Sequence, residues 1–425
     1  MSSDVTACIW YFIVIDDIWT INEWETISCA FMDSAHGSRI LTTTRNLDVA
    51  QKTGAVYKLE PLSSDNSKEL LYRGLYGGKG KCPNDHPDEL TKKILHKCGG
   101  VPLAIITIAS LLHGKPRDDW SQVYTSIGFE SGENKEVDNT RKIILFSYYD
   151  LPCHLRTCLL HLSIFPEDYK IDKEVLIWKW VAEGIVRDEP TDNNFVIVLD
   201  NNEHHTSPQN KARRIAVQNG VLEQDNHLAK TQMPQVRSFY AIACRISVMP
   251  SLSSFEALRV LDIGGYARSM IFEGGHHHLE HIGKLLQLRY LGLSNIHISE
   301  VPEEIGYLRF LQTLYLESHW IEELPHSVGL LSQLKCLHAQ SCYRHLTVPD
   351  WIGNLTSLEE LRLDEVESPN FPEELRKLEQ LRVLCIRFPD PEDVSRSRAL
   401  LESIANLKKI QRLELICDCD SENRF

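Results

Sequence analysis

No apolar run in this chain approaches the roughly 18 residues needed to cross a bilayer, so no membrane span is expected. Basic residues are outnumbered. The 45 Lys and Arg against 59 Asp and Glu give a net charge of −14, which argues against an extended nucleic-acid footprint. A secretory leader is not expected either. Residues 7–15 are apolar, but Asp4 precedes them without a basic residue and Asp16-Asp17 ends them. The 12 cysteines lack the spacing of a small disulfide framework and read as reduced thiols of a cytosolic protein. Cys417 and Cys419 lack a second ligand pair. His276-His277-His278 with His281 falls in a gap between repeats and reads as a solvated loop rather than a metal site. Also missing is any Gly-x-x-x-x-Gly-Lys-Ser/Thr, the loop whose backbone amides cradle phosphates. Gly77-Gly78-Lys79-Gly80-Lys81 imitates it with the wrong spacing and reads as a loop between two helices.

What the chain does have, above all, is a repeat. Leu-x-x-Leu-x-Leu occurs at Leu288, Leu311 and Leu358, with degenerate copies at Leu334 and Leu381. The starts are 23, 23, 24 and 23 residues apart, and flanking copies begin at Leu258 and Ile410. Pro302, Pro325, Pro349 and Pro372 follow the starts by 14 or 15 residues, and Ile-Gly or Val-Gly follows three of them. This period predicts a leucine-rich repeat solenoid over residues 246–425, with one short strand per repeat. Alternation along each strand points Leu291, Leu314 and Leu361 into the core. It points Tyr290, Tyr315, Glu317, His338, Arg362 and Arg387 outward onto a concave parallel sheet, where a protein partner is expected.

The N-terminal part reads as α/β. Residues 9–15 suit a strand buried on both faces, Arg39–Thr43 a second strand, and Trp24–Phe31 the helix between them. Val56–Leu59 reads as a third strand. Helical stretches follow from Ser63, over Asp88–Cys98 and over Pro102–Leu112, the last opened by proline. Residues 130–139 read as a polar linker, before helical stretches at Ile143–Tyr149, Leu155–Ser163 and Lys173–Glu183.

Four blocks stand in order: Tyr-Phe-Ile-Val-Ile-Asp-Asp-Ile-Trp at 11–19, Gly-Ser-Arg-Ile-Leu-Thr-Thr-Thr-Arg at 37–45, Cys-Gly-Gly-Val-Pro-Leu-Ala at 98–104, and Cys-Leu-Leu-His-Leu-Ser-Ile-Phe-Pro-Glu-Asp-Tyr at 158–169. With Ile-Trp-Lys-Trp-Val-Ala-Glu-Gly at 177–184, the chain resembles plant intracellular immune receptors that join an NB-ARC domain to leucine-rich repeats. The resemblance implies an overall α/β class. It implies a partial P-loop-NTPase-like sheet at 1–62, a helical ARC bundle at 63–135 and a winged helix at 136–187. A connecting segment at 188–245 then leads to the repeat solenoid.

The resemblance also implies site roles. Asp16 would position Mg²⁺, and Asp17 would orient the attacking water. Arg45 would sense the terminal phosphate of ADP or ATP. Gly100, Pro102 and Leu103 would lie against the nucleotide, with the proline on adenine. With no phosphate loop, the carboxylates read as a relic and ATPase activity is not expected. The family's Met-His-Asp motif is also missing; the nearest histidines, at Glu203-His204-His205, stand in the wrong context. The function implied is that of a truncated, cytoplasmic defence receptor recognising a pathogen effector or a guarded host protein. Two readings stay open beside it: a repeat adaptor or decoy with a passive N-terminal half, and a nucleotide switch whose phosphate loop is absent from this sequence.

Overall fold

The computed structural model describes residues 11–31, 38–77, 89–127, 136–185, 196–199, 212–218, 221–222, 232–246, 251–265, 279, 281–296, 298, 300–317, 321, 323–340, 350–365, 368, 370–388 and 394–417. His276–His278, Gly78–Lys81, Glu203–His205, Pro349 and Cys419 lie outside them. The chain forms two compact units, residues 1–148 and 149–425.

In the first unit, β1 (Phe12–Ile15) and β2 (Arg39–Thr42) pair in parallel, with Phe12 opposite Arg39. Between them runs α1 (Ile21–Ser28). Its start is fixed by a capping box: Thr20 accepts from the Glu23 amide and Glu23 accepts from the Thr20 amide. Asn46 caps α2 (Leu47–Thr53) with its side-chain oxygen, which accepts from the Asp48 amide. The strand read at Val56–Leu59 does not form. Those residues run as irregular, exposed chain with Tyr57 87% exposed, and their alternation meets no neighbouring strand among the described residues.

Ser63 caps α3 (Ser64–Tyr76), followed by α4 (Glu89–Cys98), α5 (Pro102–Leu112) and α6 (Trp120–Ser126). Leu71, Ile94, Ile105, Ile108, Leu112 and Trp120 close these helices into one core. Ile143 of α7 (Glu136–Asp150) joins it. The ends of α5 match those read from the sequence because Pro102 opens it without needing a hydrogen-bonded amide.

The second unit opens with α8 (Cys153–His161) and α9 (Lys173–Glu183). Asp172 caps α9, and Gly184 ends it in the left-handed region. Then comes one parallel ladder. Its strands are β3 (Ile197–Leu199), β4 (Arg214–Gln218), β6 (Ser238–Ile246), β7 (Val260–Gly265), β8 (Tyr290–Ser294), β9 (Thr313–Glu317), β10 (Cys336–Gln340), β11 (Glu360–Glu365), β12 (Val383–Phe388) and β13 (Arg412–Cys417). They are stacked in that order, with β5 (Val221–Leu222) pairing β6 at its side.

Register puts equivalent residues in file. Ile197, Ile215, Phe239, Leu261, Leu291, Leu314, Leu337, Leu361, Leu384 and Leu413 stand opposite one another from strand to strand. From Ile215 to Leu384 this file is buried in a single core. Pro302 and Pro325 each precede a 3-10 turn on the other side of the solenoid.

The ladder begins earlier than the leucine spacing predicts. Residues 188–245, read as a connecting segment, contribute β3, β4, β5 and β6. The missed repeats carry the same frame in other residues: Ala212-x-x-Ile215-x-Val217 and Val236-x-x-Phe239-x-Ala241, all buried.

Candidate functional site

Two groups of side chains hold the chemistry. The first lies at the ends of β1 and β2. The Asp17 amide donates to Thr43 Oγ1 at 2.8 Å, and the Thr43 hydroxyl donates to Asp16. Asp17 has φ of 56°, a left-handed conformation that aspartate tolerates. Its Oδ2 lies 3.3 Å from Arg45 Nη2 and accepts from Trp19 Nε1 at 3.0 Å. The Arg45 guanidinium also stacks 3.9 Å from the Trp19 ring centroid.

The structure brings Asp16, Asp17 and Arg45 together at the ends of β1 and β2. It ties Asp17 to Arg45 rather than leaving it free to orient water. The Arg45 side chain is 60% exposed, so solvent screens the pair.

Gly100, Pro102 and Leu103 form a separate group at the start of α5. Gly100 has φ of +72°, and a Cβ there would lie 2.6 Å from the Leu62 carbonyl oxygen, so only glycine fits. Its own carbonyl accepts from the Leu62 amide at 2.9 Å. Leu103 is 56% exposed on the first turn.

The second group is the concave sheet under α9. One face of that helix carries Glu174, Val175, Trp178, Lys179, Ala182 and Glu183, spaced by three and four residues. Every charge on this face finds a partner on the ladder. Glu183 accepts from Arg214 Nε at 2.5 Å and from the Tyr240 hydroxyl. Tyr240 also meets His161 Nε2 at 2.9 Å. Lys179 pairs with Asp262 at 2.6 Å. Trp178 Nε1 donates to Glu360 at 3.0 Å. Glu174 takes Arg362 at 3.0 Å and Arg412 at 3.1 Å. Beneath them Phe165, Ala182, Tyr240, Val260 and Tyr290 close a second, smaller core.

Burial alone would raise the Glu183 carboxyl; the hydrogen bond from His161, its charge and the Arg214 guanidinium outweigh it and hold the pKa at about 2. Burial and Glu183 push the Tyr240 phenol well up, so it stays a donor. Burial lowers His338, which leaves the imidazole neutral at neutral pH.

The concave residues named from the sequence thus meet a partner within the chain. Tyr290 is 1% exposed rather than offered to solvent, because α9 lies over it. Gly292 makes room: a Cβ there would fall 2.3 Å from Asp262 Oδ1 and 2.7 Å from the Tyr290 ring. Tyr315 donates to Glu317 at 3.0 Å and packs on the His338 ring at 4.3 Å between centroids. Arg362 bridges Glu360 at 2.5 Å and Glu174. Arg387 sits farther along, on β12.

Between α9 and the sheet remains a cavity of about 70 Å³ lined by Asp172, Glu174, Trp178, Tyr290, Thr313, Tyr315, Cys336, His338, Glu360 and Arg362, with Val175. Sequence reasoning missed His161, Lys179, Glu183, Arg214, Tyr240 and Asp262. The partial signal was the i, i+4 spacing of Lys179 and Glu183 after the apolar run Val175–Trp178. Among the described residues no helix is long and apolar enough to cross a membrane, and no group of three or more His, Cys, Asp or Glu is arranged to hold a metal.

Three domain families match in chain order: the NB-ARC domain over residues 9–76, the disease resistance protein winged helix domain over 164–197, and a leucine-rich repeat region over 235–424. Disease resistance protein Pik-2 of Oryza sativa subsp. japonica is 26% identical over 352 residues, covering 69% of this chain and 34% of that protein. Disease resistance protein RPM1 of Arabidopsis thaliana is 31% identical over 182 residues, covering 41% of this chain and 20% of that protein. The chain thus spans about a third or less of these relatives. Among solved structures, internalin C2 from Listeria monocytogenes is 17% identical at a TM-score of 0.33, covering 43% of this chain and 72% of that one. The plant peptide hormone receptor RGFR1 is 16% identical at 0.34, covering 48% and 32%. The three domain matches, in this order, and the relatives show that this chain is similar to plant disease resistance proteins that join NB-ARC, winged helix and leucine-rich repeat regions.

Proposed function

We propose that this chain acts in plant defence against pathogens as a non-enzymatic recognition protein in the cytoplasm, with its repeat sheet as the surface that meets a protein partner. A pathogen effector, or a host protein that an effector alters, fits that role. The observation that supports this most is the continuous ladder from β3 to β13; α9 lies over part of its concave face, so a partner meets the rest of that face or displaces the helix. Disrupting the coding sequence in the plant of origin should raise susceptibility to at least one pathogen, and restoring it should restore resistance. Unchanged susceptibility across a broad pathogen panel would overturn the defence reading.

The family implies ADP or ATP with Mg²⁺, and some residues suit them. Asp16 offers a hard oxygen ligand for the metal, which would offset phosphate charge when bound. Arg45 offers a fixed cation, and Pro102 with Leu103 an apolar wall for the base. Yet Arg45 already pairs with Asp17, so a phosphate there must displace that carboxylate. Nor do these 425 residues contain the phosphate-loop pattern. Its amides and lysine supply about three charge-assisted hydrogen bonds of roughly 1.5–3 kcal/mol each. Their loss removes roughly three to six decades of affinity. We therefore infer that this chain alone binds ADP and ATP weakly or not at all. Titration calorimetry with Mg²⁺ checks it: a micromolar or tighter ADP constant, lost on Arg45→Ala or Pro102→Ala, would restore a nucleotide switch.

A further inference from the structure

One edge of the ladder carries a row of cations. In each repeat, the residue after the first inward position bonds its counterpart in the preceding repeat through the backbone. The Arg237 amide donates to the Arg213 carbonyl at 2.7 Å, Arg259 to Arg237 at 2.6 Å and Arg289 to Arg259 at 2.8 Å. Gln312, Lys335, Glu359, Arg382 and Gln411 continue the row in the same way. Neighbouring strands stand about 4.8 Å apart, so β4, β6, β7 and β8 bring four arginines into file at that spacing. The chain as a whole carries −14, so the row runs against the overall charge.

The C-terminal end of the row shows what its side chains do when an anion stands among them. Glu359 takes Lys335 at 3.0 Å from one side and Arg382 at 3.8 Å from the other, each one repeat away. A carboxylate in the row thus draws in the cations of both neighbouring repeats. At the N-terminal end no carboxylate occupies the row. Among the described residues none pairs with the side chains of Arg213, Arg259 or Arg289, not even Glu256, three residues before Arg259. Arg237 has a partner of its own. Arg213 is exposed and the other three are half-buried. Like charges held opposite one another on adjacent strands repel. An anion entering between them would meet guanidiniums, whose planar fork suits two-pronged binding of a carboxylate.

Access and surroundings select a protein segment. On the concave face of these same repeats, α9 lies over Arg214, Tyr240, Asp262 and Tyr290. The row runs beside them, one residue before Arg214, Val260 and Tyr290, where a partner reaches it without displacing the helix. Just upstream of the row, Leu286 and Phe310 are 55% and 53% exposed on adjacent repeats. Carboxylates for the arginines and an apolar side chain for Leu286 and Phe310 occur together in an acidic peptide. An inorganic polyphosphate offers only the charge.

We propose that the row from Arg213 to Arg289 docks an acidic segment of a partner protein, its carboxylates standing among the guanidiniums as Glu359 stands between Lys335 and Arg382. This rests on the reading that the repeats meet a protein partner, and it names that partner's chemistry. The susceptibility assay tests the defence role and the binding assay tests the row, so each can fail alone.

The test titrates the full chain with dye-labelled acetyl-Glu-Glu-Leu-Glu-Glu-Leu-amide and with the same peptide carrying Gln for Glu. Inorganic tripolyphosphate serves as a competitor. Saturable binding of the Glu peptide is expected, roughly tenfold tighter than the Gln peptide and falling as salt rises. Arg259→Gln and Arg289→Gln should each weaken it roughly fivefold. Arg382→Gln should leave it unchanged, because Glu359 already holds that cation. The melting temperatures of Arg259→Gln and Arg289→Gln should be no lower than the parent's, because a like-charge contact is removed. Weakened binding then reports the row and not a loss of folding. Equal binding of the two peptides, or binding unchanged in both arginine variants, would overturn the proposal. So would tripolyphosphate displacing the probe at lower concentration than unlabelled Glu peptide, which would assign the row to a phosphate ligand.

Discussion

Glu183 is a carboxylate with almost no contact with water, 3% exposed, and its partners decide how the protein responds to acid. Its pKa is depressed from 4.5 to about 2. The ionised form is therefore the one that the fold stabilises. That stability is fully present above the unfolded value and is lost as pH falls from about 4.5 through about 2. Glu183→Gln should lower the melting temperature at neutral pH, because Arg214 and His161 lose a charged partner. It should also flatten the acid limb of the profile. Melting curves from pH 7 to pH 2 check this, and parallel profiles for parent and variant would contradict it. The sequence hides Glu183 for a simple reason. A glutamate just before a helix-ending glycine looks like a solvated end, and nothing local signals that Arg214, Tyr240 and His161 surround it.

At the scale of single elements, α9 inverts the usual amphipathic rule. Ile177 and Val181 are exposed, whereas Lys179 and Glu183 are buried. The ends of α9 were legible because Asp172 and Gly184 are strong local signals. The orientation was not, since a hydrophobicity pattern would turn the charged stripe to water. The contacts that decide it span 182 and 188 residues of sequence. A charge stripe facing inward makes a sharp energetic prediction. Lys179→Met alone leaves Asp262 buried without its cation, and should cost roughly 3–5 kcal/mol. Adding Asp262→Leu should recover much of that loss, because the pair's desolvation also disappears. Denaturant unfolding of the two single variants and the double variant measures the coupling. Additive costs would show that the pair is not a unit.

Over the whole molecule, legibility follows the regularity of the core. From Leu258 onward the leucines recur because each strand must fill the same slot, so strand, register and inward face could all be read. Upstream the slot is filled by Ile215 and Phe239, and the pattern fades while the packing continues. In the first unit β1 and β2 form where they were read and pair, but the first strand, read as buried on both faces, leaves Phe12 and Val14 63% and 55% exposed. Val56–Leu59 shows the converse: a β-like composition makes no strand without a neighbour to pair with. How the concave face is filled could not be read, since that depends on where a distant helix lands.

The placement of α9 also fixes a timetable. Trp178 bonds Glu360, which lies 182 residues later in the chain. At a synthesis rate of about 5–20 residues per second, the helix leaves the ribosome roughly 10–40 s before that partner exists. Until Arg214 and Asp262 follow, 31 and 83 residues behind Glu183 and Lys179, those two charges face water and keep the nascent segment soluble. Composition that looks wrong for a buried helix is right for one that must wait.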